Sequence, residues 1–225
     1  MPRRLRAAAG GYVYHVLNRA VGRATLFEKP GDYAAFVKVL RQAHNELPTR
    51  LLAFCLMPNH WHLLVWPAAD GELSRYLHWL TMTHTQRWHA HRQTAGTGPL
   101  YQGRFKSFPV QEDDHLRTVW RYVERNPLRA GLVNRAEQWP WSSVALRQRS
   151  QAPMPWLCPG PSPLPADWLA QVNRPETEAE LAALRRCARR GAPFGEEAWQ
   201  QLAVEALGLE AAVRPRGRPR KAGLM

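Results

Sequence analysis

LLAFCLMPNHWHLLVW, residues 51–66, gives the clearest structural signal in the chain. Both halves of this segment are short apolar runs, and Pro58-Asn59 stands between them. Two turn-forming residues between two runs of strand length predict a β-hairpin. Because both runs are apolar almost throughout, we expect the two strands to be mostly buried. His60 and His62 lie in the second strand of this hairpin.

The sequence around the hairpin predicts a strand at the start and a helix on either side. Residues 11–18, GYVYHVLN, alternate aromatic or branched residues with others, which is typical of a strand. Pro30-Gly31-Asp32 is a helix start, and apolar residues then recur at helical spacing. Asp70-Gly71-Glu72 opens a second, longer helix of the same kind.

The next segment predicts a fourth strand and a third helix. Residues 101–110 alternate and contain Pro109, as an edge strand does. Asp113-Asp114 suits a helix N-terminus, and this helix must end near Asn126 because Pro127 disfavours a helical residue before it. The order β-α-β-β-α-β, followed by one more helix, predicts an α+β chain with a ferredoxin-like (RRM-like) sheet.

The composition changes after residue 150. Six prolines between positions 153 and 165 predict a linker over residues 151–175 that crosses the surface in extended form. Residues 176–190 and 195–207 have the apolar spacing of two short helices. We therefore expect one domain over residues 1–150, the linker, and a helical extension over residues 176–225 that ends in a basic tail.

Charge is the strongest global feature. The formal net charge is +13, which favours a polyanionic partner because neutralised phosphates release condensed counterions. Apolar residues make up 45% of the chain, so a core can form, but no apolar run approaches the roughly 20 residues of a membrane span. Three scattered cysteines (Cys55, Cys158 and Cys187) argue against a disulfide framework. We expect a cytoplasmic protein that has no membrane partner.

The two histidines of the hairpin form a candidate metal site. His60 and His62 are two apart in a strand, so both imidazoles project from one sheet face while Trp61 points to the other. Two imidazoles on one face can hold a divalent metal ion if a third group arrives from elsewhere. Two partly buried histidines with local hydrogen bonds are the alternative interpretation.

The third helix carries a candidate nucleophile. Tyr122 and Asn126 are four residues apart and share a helix face. A tyrosine hydroxyl beside a metal site can attack phosphorus, and an amide oxygen from Asn126 suits a hard divalent cation. An ordinary amphipathic core tyrosine would give the same local pattern.

Three motifs together resemble a known family. MPNHWHLLV, residues 57–65, is similar to the His-hydrophobic-His strand of the single-tyrosine HUH transposases. YVERNPLRAG, residues 122–131, resembles their catalytic-tyrosine segment. WPWSS, residues 139–143, and the tail from Arg189 are similar to the subgroup of REP-associated tyrosine transposases. The resemblance covers residues from about 11 to 147 well and the tail more loosely.

The resemblance implies a specific chemistry. His60, His62 and Asn126 would hold Mg²⁺ or Mn²⁺, although the third ligand in related enzymes is often a glutamine. Tyr122 would attack the scissile phosphate of a single strand, leaving a 5′-phosphotyrosine link and a free 3′-hydroxyl. Reversal with another 3′-hydroxyl would rejoin strands, so no nucleotide cofactor is needed. The substrate would be single-stranded DNA that carries palindromic hairpins.

Basic residues supply candidate DNA contacts. Arg104 and Lys106 are predicted backbone contacts, with solvated edge-strand charges as the alternative. Arg117, Arg121 and Arg125 surround the tyrosine on its helix and are placed to grip the phosphates beside the cut. The tail resembles an AT-hook core, and its candidate contacts are Arg214, Arg216, Arg218, Arg220 and Lys221.

Other functions fit parts of the pattern. A ferredoxin-like domain with a basic face is also the plan of many RNA-binding modules, and an inactive descendant that only binds nucleic acid belongs to this class. A phosphodiesterase that uses water would need the histidines but not Tyr122. A structural zinc protein is disfavoured by the scattered cysteines. We expect a monomer rather than a dimer, because the long tail can occupy a dimer surface.

Overall fold

Four strands form one antiparallel sheet in the computed structural model, which describes residues 8–150 and 154–214. The strands are β1 (Val13–Arg19), β2 (Arg50–Met57), β3 (His60–Trp66) and β4 (Lys106–Val110). Their order across the sheet is β2-β3-β1-β4, and every neighbouring pair is antiparallel. This order confirms the predicted ferredoxin-like arrangement, with the hairpin at one side and β4 at the other edge.

The predicted helices are present, and shorter ones accompany them. The helices are α1 (Pro30–Glu46), α2 (Glu72–Arg92), α3 (Asp114–Glu124), α4 (Asn126–Arg129), α5 (Ser143–Arg149), α6 (Trp168–Asn173), α7 (Glu178–Arg190), α8 (Glu197–Leu207) and α9 (Glu210–Val213). Pro30 occupies the first helical position of α1, as predicted. The Asp113 side chain caps α3 by accepting a hydrogen bond from the backbone N–H of His115.

The sheet separates two apolar clusters. Helices α1 and α2 pack on one face, where Tyr14, Val16 and Trp61 are fully buried. Helix α3 and the C-terminal extension pack on the other face, against Val13, Leu64 and Phe108. We call this second face the α3 face. Side chains alternate between the faces along each strand, so the residues of one strand serve both clusters.

The predicted linker differs from the structure. Residues 168–173 form helix α6 rather than an extended segment, and Trp156 and Trp168 are buried. Trp156 packs against Phe54 with ring centroids 5.7 Å apart, and the Cys158 backbone N–H donates to the carbonyl of Leu51. The prolines favour extended backbone, but burial of two indole side chains holds this region against the domain.

The extension also covers the edge of the sheet. Phe194 bridges in parallel with Val110 at the outer side of β4, where the Phe194 backbone N–H donates to the carbonyl of Pro109. The Gln111 backbone N–H donates to the carbonyl of Phe194. These bonds occupy edge groups that would otherwise be free to pair with another strand.

Within residues 8–150 and 154–214, no helix has both the length and the apolar character needed to cross a membrane.

Candidate active site

Strand β3 presents two histidines to the α3 face. His60 pairs with Arg19 and Met57 on the flanking strands, while His62 pairs with Leu17 and Cys55. Their imidazole centroids are 5.0 Å apart. Trp61 between them points to the opposite face, as the alternation predicts, where its indole N–H donates to Tyr101 Oη at 3.0 Å.

A neighbouring group orients each imidazole. His60 Nδ1 lies 2.6 Å from Asn59 Oδ1, and because an amide oxygen only accepts, Nδ1 donates in this bond. His62 Nδ1 lies 2.9 Å from Nε2 of His15, a fully buried residue of β1. In both rings, Nε2 makes no hydrogen bond to the part of the chain that the structure describes. A metal-binding histidine characteristically has its second ring nitrogen held in this way.

The three imidazoles are neutral at physiological pH. Burial lowers the pKa of His15 from 6.5 to about 3, with a further contribution from the positive charge of Arg129. Burial lowers the pKa of His60 to about 4, helped by Arg19 and Arg129. Burial, the other two histidines and the same arginines hold the pKa of His62 well below 6.5. The neutral imidazole is the form that coordinates metals.

Tyr122 lies directly against this histidine cluster. Its ring meets those of His15 and His62 edge-on, with both centroid distances at 5.9 Å. The residue is 9% exposed, and no side chain or backbone group in the described residues hydrogen-bonds to its Oη. Helix α3 and strand β3, 60 residues apart in sequence, therefore bring the predicted nucleophile and the predicted metal ligands together.

Asn126 lies just beyond α3 rather than within it. It begins the short helix α4, where its Nδ2 donates to the carbonyl of Tyr122 at 3.1 Å. Its Oδ1, the atom predicted to bind metal, accepts a hydrogen bond from Arg129 Nη2 at 2.6 Å. An amide oxygen has two lone pairs, so this bond leaves one for a cation.

These donors fit a divalent metal ion. In the described ranges, no cluster of three or more His, Cys, Asp or Glu side chains is placed to hold one. The candidate donors are the Nε2 atoms of His60 and His62, with the oxygen of Asn126 as the predicted third ligand. Two imidazoles and one amide would leave coordination positions for water or a phosphate oxygen.

A buried carboxylate fixes the end of the tyrosine helix. Glu124 is fully buried, two residues after Tyr122. Its Oε1 accepts from Trp120 Nε1 at 3.0 Å and from Ser143 Oγ at 2.6 Å, and it is ion-paired with Arg147. Its Oε2 accepts from Trp168 Nε1 at 2.9 Å. We call this group of five residues the Glu124 hub, and it joins α3 to the WPWSS segment and to helix α6.

The arginines predicted beside the tyrosine turn toward carboxylates. Arg117 pairs with Asp114, one turn earlier on the same helix. Arg121 Nη2 lies 2.7 Å from Glu180 Oε1 in the extension. Arg125 Nε lies 2.9 Å from Glu176, and its Nη1 donates to two carbonyls at the end of α6. Their role as phosphate contacts stays a prediction, and DNA would have to compete with these partners.

Lys106 and Arg104 are exposed near the site. Lys106 pairs with Leu17, which pairs in turn with His62, so the three side chains form one row on the α3 face. Arg104 lies in the loop before β4 and lines a groove beside helix α2. A phosphate contact by either residue stays a prediction. Of the two, Lys106 is the one that shares a row of the sheet with His62.

The tail contacts are largely beyond what the structure describes. Arg214 is exposed at the end of the described chain. The other predicted tail contacts, Arg216, Arg218, Arg220 and Lys221, lie outside the described residues.

Three site features were missed by the sequence-based interpretation. His15 is a polar residue at an inward position of an apolar strand, which was a usable signal, but its contact with His62 depends on strand pairing. Arg129 places its guanidinium carbon 4.2 Å from the centroid of the Tyr122 ring. Glu124 looks like a surface helix residue in the sequence, and only its partners in distant segments explain its burial.

Comparisons with known proteins identify the family of this chain. A family model described as Transposase IS200 like matches residues 9–126, a little over half of the chain. The match includes His60, His62, Tyr122 and Asn126. A Haemophilus influenzae protein with the provisional name REP-associated tyrosine transposase is 26% identical over 116 residues. The alignment spans 48% of this chain and 66% of that protein, slightly less than two thirds of its length.

The fold is also similar to a solved structure. A REP-associated tyrosine transposase bound to a REP hairpin has a TM-score of 0.54 and 19% identity. The similarity covers 70% of this chain and 92% of that one. At this identity the likeness is one of fold. The family match confirms the resemblance drawn from the three sequence motifs, and the chain belongs to the IS200-like transposase family.

Proposed function

We propose that this transposase cuts and rejoins single-stranded DNA with Tyr122 as the nucleophile, through a covalent 5′-phosphotyrosine intermediate. The observation that carries the proposal is the contact between Tyr122 and His62, whose rings meet edge-on at 5.9 Å. The Tyr122 hydroxyl has no hydrogen-bond partner in the described residues, and it lies beside two oriented neutral imidazoles. This arrangement suits attack on a phosphate held at the same place.

Cleavage and rejoining consume no cofactor. The bond from Tyr122 Oη to phosphorus forms as the bond from phosphorus to the 3′-oxygen breaks. The phenol proton passes to water, and the departing 3′-oxygen takes up a proton to become a hydroxyl. Reversal by another 3′-hydroxyl restores a phosphodiester and the free tyrosine, so strand transfer needs no nucleotide hydrolysis.

A divalent cation, Mg²⁺ or Mn²⁺, would polarise the scissile phosphate when bound by His60, His62 and Asn126. Asn59 and His15 keep the two imidazoles in their orientations, through bonds of 2.6 and 2.9 Å. Neutral histidines bind a cation without first losing a proton, so the low pKa values support this assignment.

The proposed substrate is single-stranded DNA that carries a hairpin formed by a palindromic repeat. The net charge of +13 supports a nucleic-acid partner. The structure similar in fold is that of a protein bound to a REP hairpin. We further propose that the protein acts as a monomer, because its own extension packs over the α3 face.

The test uses hairpin-bearing single strands labelled at the 5′ or the 3′ end, incubated with Mg²⁺ or Mn²⁺ and separated on denaturing gels. We expect a protein-linked fragment that retains the 3′ label and disappears with chelator. Tyr122→Phe should abolish the fragment, whereas Tyr12→Phe, a matched change at a partly exposed tyrosine, should not.

Two outcomes would contradict the proposal. Cleavage without a protein-linked fragment would indicate a phosphodiesterase that uses water. Binding without cleavage, across several hairpins and both metals, would indicate a protein that only binds nucleic acid.

A further inference from the structure

Arg129 is the basic residue in direct contact with Tyr122. Its guanidinium carbon lies 4.2 Å from the centroid of the tyrosine ring. Arg121 and Arg125 are directed at the extension instead, through Glu180 and Glu176. The arginine beside the proposed nucleophile is therefore a residue that the sequence motifs did not single out.

Two hydrogen bonds hold the Arg129 guanidinium in place. Nη2 donates to Asn126 Oδ1 at 2.6 Å, and Nη1 donates to Glu176 Oε1 at 2.6 Å. The side chain of Glu176 is only 2% exposed, so this carboxylate is a well-packed partner, while the side chain of Arg129 is 19% exposed. A guanidinium has five N–H donors, and two of them have these hydrogen-bond partners in the described residues. In that part of the chain, the other donors can meet a ligand that approaches from the accessible side.

Tyr122 links Arg129 to the histidine cluster. The centroid of the Tyr122 ring lies 4.2 Å from the Arg129 guanidinium carbon and 5.9 Å from the ring centroids of His15 and His62. A phosphate between the tyrosine and the histidines would lie within the field of this cation.

We propose that Arg129 is a catalytic residue of strand cleavage, binding a non-bridging oxygen of the scissile phosphate while Tyr122 attacks. This inference rests on the proposed function and deepens it. Negative charge grows on the non-bridging oxygens as the bond to Tyr122 forms and the bond to the 3′-oxygen breaks. A fixed guanidinium stabilises that charge by charge-assisted hydrogen bonds, and Glu176 and Asn126 position it beforehand.

The experiment compares two substrates that differ in one substituent on the scissile phosphorus. One hairpin-bearing strand has the ordinary scissile phosphodiester, and the other has a methylphosphonate, in which a methyl group replaces one charged oxygen. Single-turnover rates of adduct formation are measured for the wild type and for Arg129→Gln, Arg129→Lys and Arg135→Gln. Thermal unfolding and hairpin affinity of each variant are measured alongside.

Loss of a preorganised donor at the transition state typically costs about 100-fold in rate. We therefore expect Arg129→Gln to slow cleavage of the phosphodiester by about 100-fold and cleavage of the neutral methylphosphonate by less than about tenfold. Arg129→Lys should fall between Arg129→Gln and the wild type on the phosphodiester, because it keeps the charge but loses the planar fork. Arg135→Gln, a matched change at an exposed arginine that pairs with Glu137, should keep the wild-type ratio of the two rates.

The two proposals can fail separately. Equal slowing of both substrates by Arg129→Gln, or no slowing, would overturn the catalytic role of Arg129 while the tyrosine adduct of the wild type stands. A changed ratio in Arg135→Gln would also overturn it, because the loss of an arginine away from Tyr122 would then have the same effect. No adduct from the wild-type protein on the phosphodiester would overturn both proposals.

Discussion

His15 Nε2 lies 2.9 Å from His62 Nδ1, so a buried histidine of β1 sets the orientation of a proposed metal ligand on β3. His15 is fully buried, and its own Nδ1 has no hydrogen-bond partner in the described residues. Burying an imidazole with an unpaired nitrogen costs free energy. A role of His15 in orienting His62 would account for this cost.

Removing this contact should weaken metal binding. We expect His15→Phe to lower the affinity for Mn²⁺ by about 10- to 100-fold, as is typical when a partner of a ligating histidine is lost. Titration calorimetry on the purified protein measures this affinity without DNA. A control is Trp88→Phe, an aromatic change on α2 away from the α3 face. Unchanged Mn²⁺ affinity in a folded His15→Phe protein would show that the contact is only structural.

Substitutions of the two histidines of β3 should separate cleavage from DNA binding. We expect His60→Ala and His62→Ala to abolish adduct formation while hairpin affinity stays within about threefold of the wild type, since phosphate contacts dominate affinity. Denaturing gels measure the adduct, and fluorescence anisotropy measures the affinity. Normal cleavage by either variant would rule out the metal assignment.

The Glu124 hub should be a large contributor to stability. Replacing Glu124 by Ala leaves both indole donors without their acceptor and removes the carboxylate partner of Arg147 and Ser143. Breaking a buried ion pair from one side typically costs about 3–5 kcal/mol. Urea unfolding measures the free energy of unfolding directly. Glu112→Ala, an exposed residue before the same helix, is the control. A loss below about 1 kcal/mol for Glu124→Ala would contradict a stabilising hub.

Docking of the extension should depend on pH through Glu180. Burial by itself raises the pKa of this carboxyl, but hydrogen bonds from Thr177 and the charge of Arg121 outweigh it and hold the pKa below 4.5. The contribution of ionised Glu180 to the free energy of unfolding is therefore fully present above pH 4.5. It is lost as the pH falls through the lowered pKa of Glu180 in the folded protein.

Thermal unfolding between pH 6 and pH 3 tests this dependence. The melting temperature of the wild type should fall more over this interval than that of Glu180→Gln. Glu178→Gln, an exposed change on the same helix, should behave like the wild type. Identical pH profiles for the wild type and Glu180→Gln would show that Glu180 does not contribute to the pH dependence of stability.

The basic tail should add affinity without affecting the chemistry. Removal of residues 215–225 takes away Arg216, Arg218, Arg220 and Lys221. Each lost contact with a single strand reduces the salt dependence of binding by about 0.7 in the slope of log K against log salt concentration. Anisotropy titrations at several salt concentrations measure the slope, which should fall by up to about 3. An unchanged slope would mean that the tail does not contact DNA.

Local patterns determined much of the fold and the two central parts of the site. The apolar hairpin interrupted by Pro58-Asn59 appears as β2 and β3, and the helix before Pro127 ends at Glu124. Backbone dihedral preferences and side-chain periodicity act over a few residues, so they can be recognised in the sequence. The same alternation placed His60 and His62 on one face. Tyr122 came from the family resemblance together with its helix.

What the amino-acid sequence alone determined is therefore the positions of the four strands and of the main helices, and it pointed to the residues proposed as metal ligands and nucleophile. Only the tertiary structure decided which residues contact these side chains. His15 reaches His62 through strand register, Arg129 reaches Tyr122 through the turn after α3, and Glu176 draws Arg125 toward the extension. Contacts between distant segments depend on how whole faces pack, and packing is a property of the assembled core rather than of any short stretch of chain.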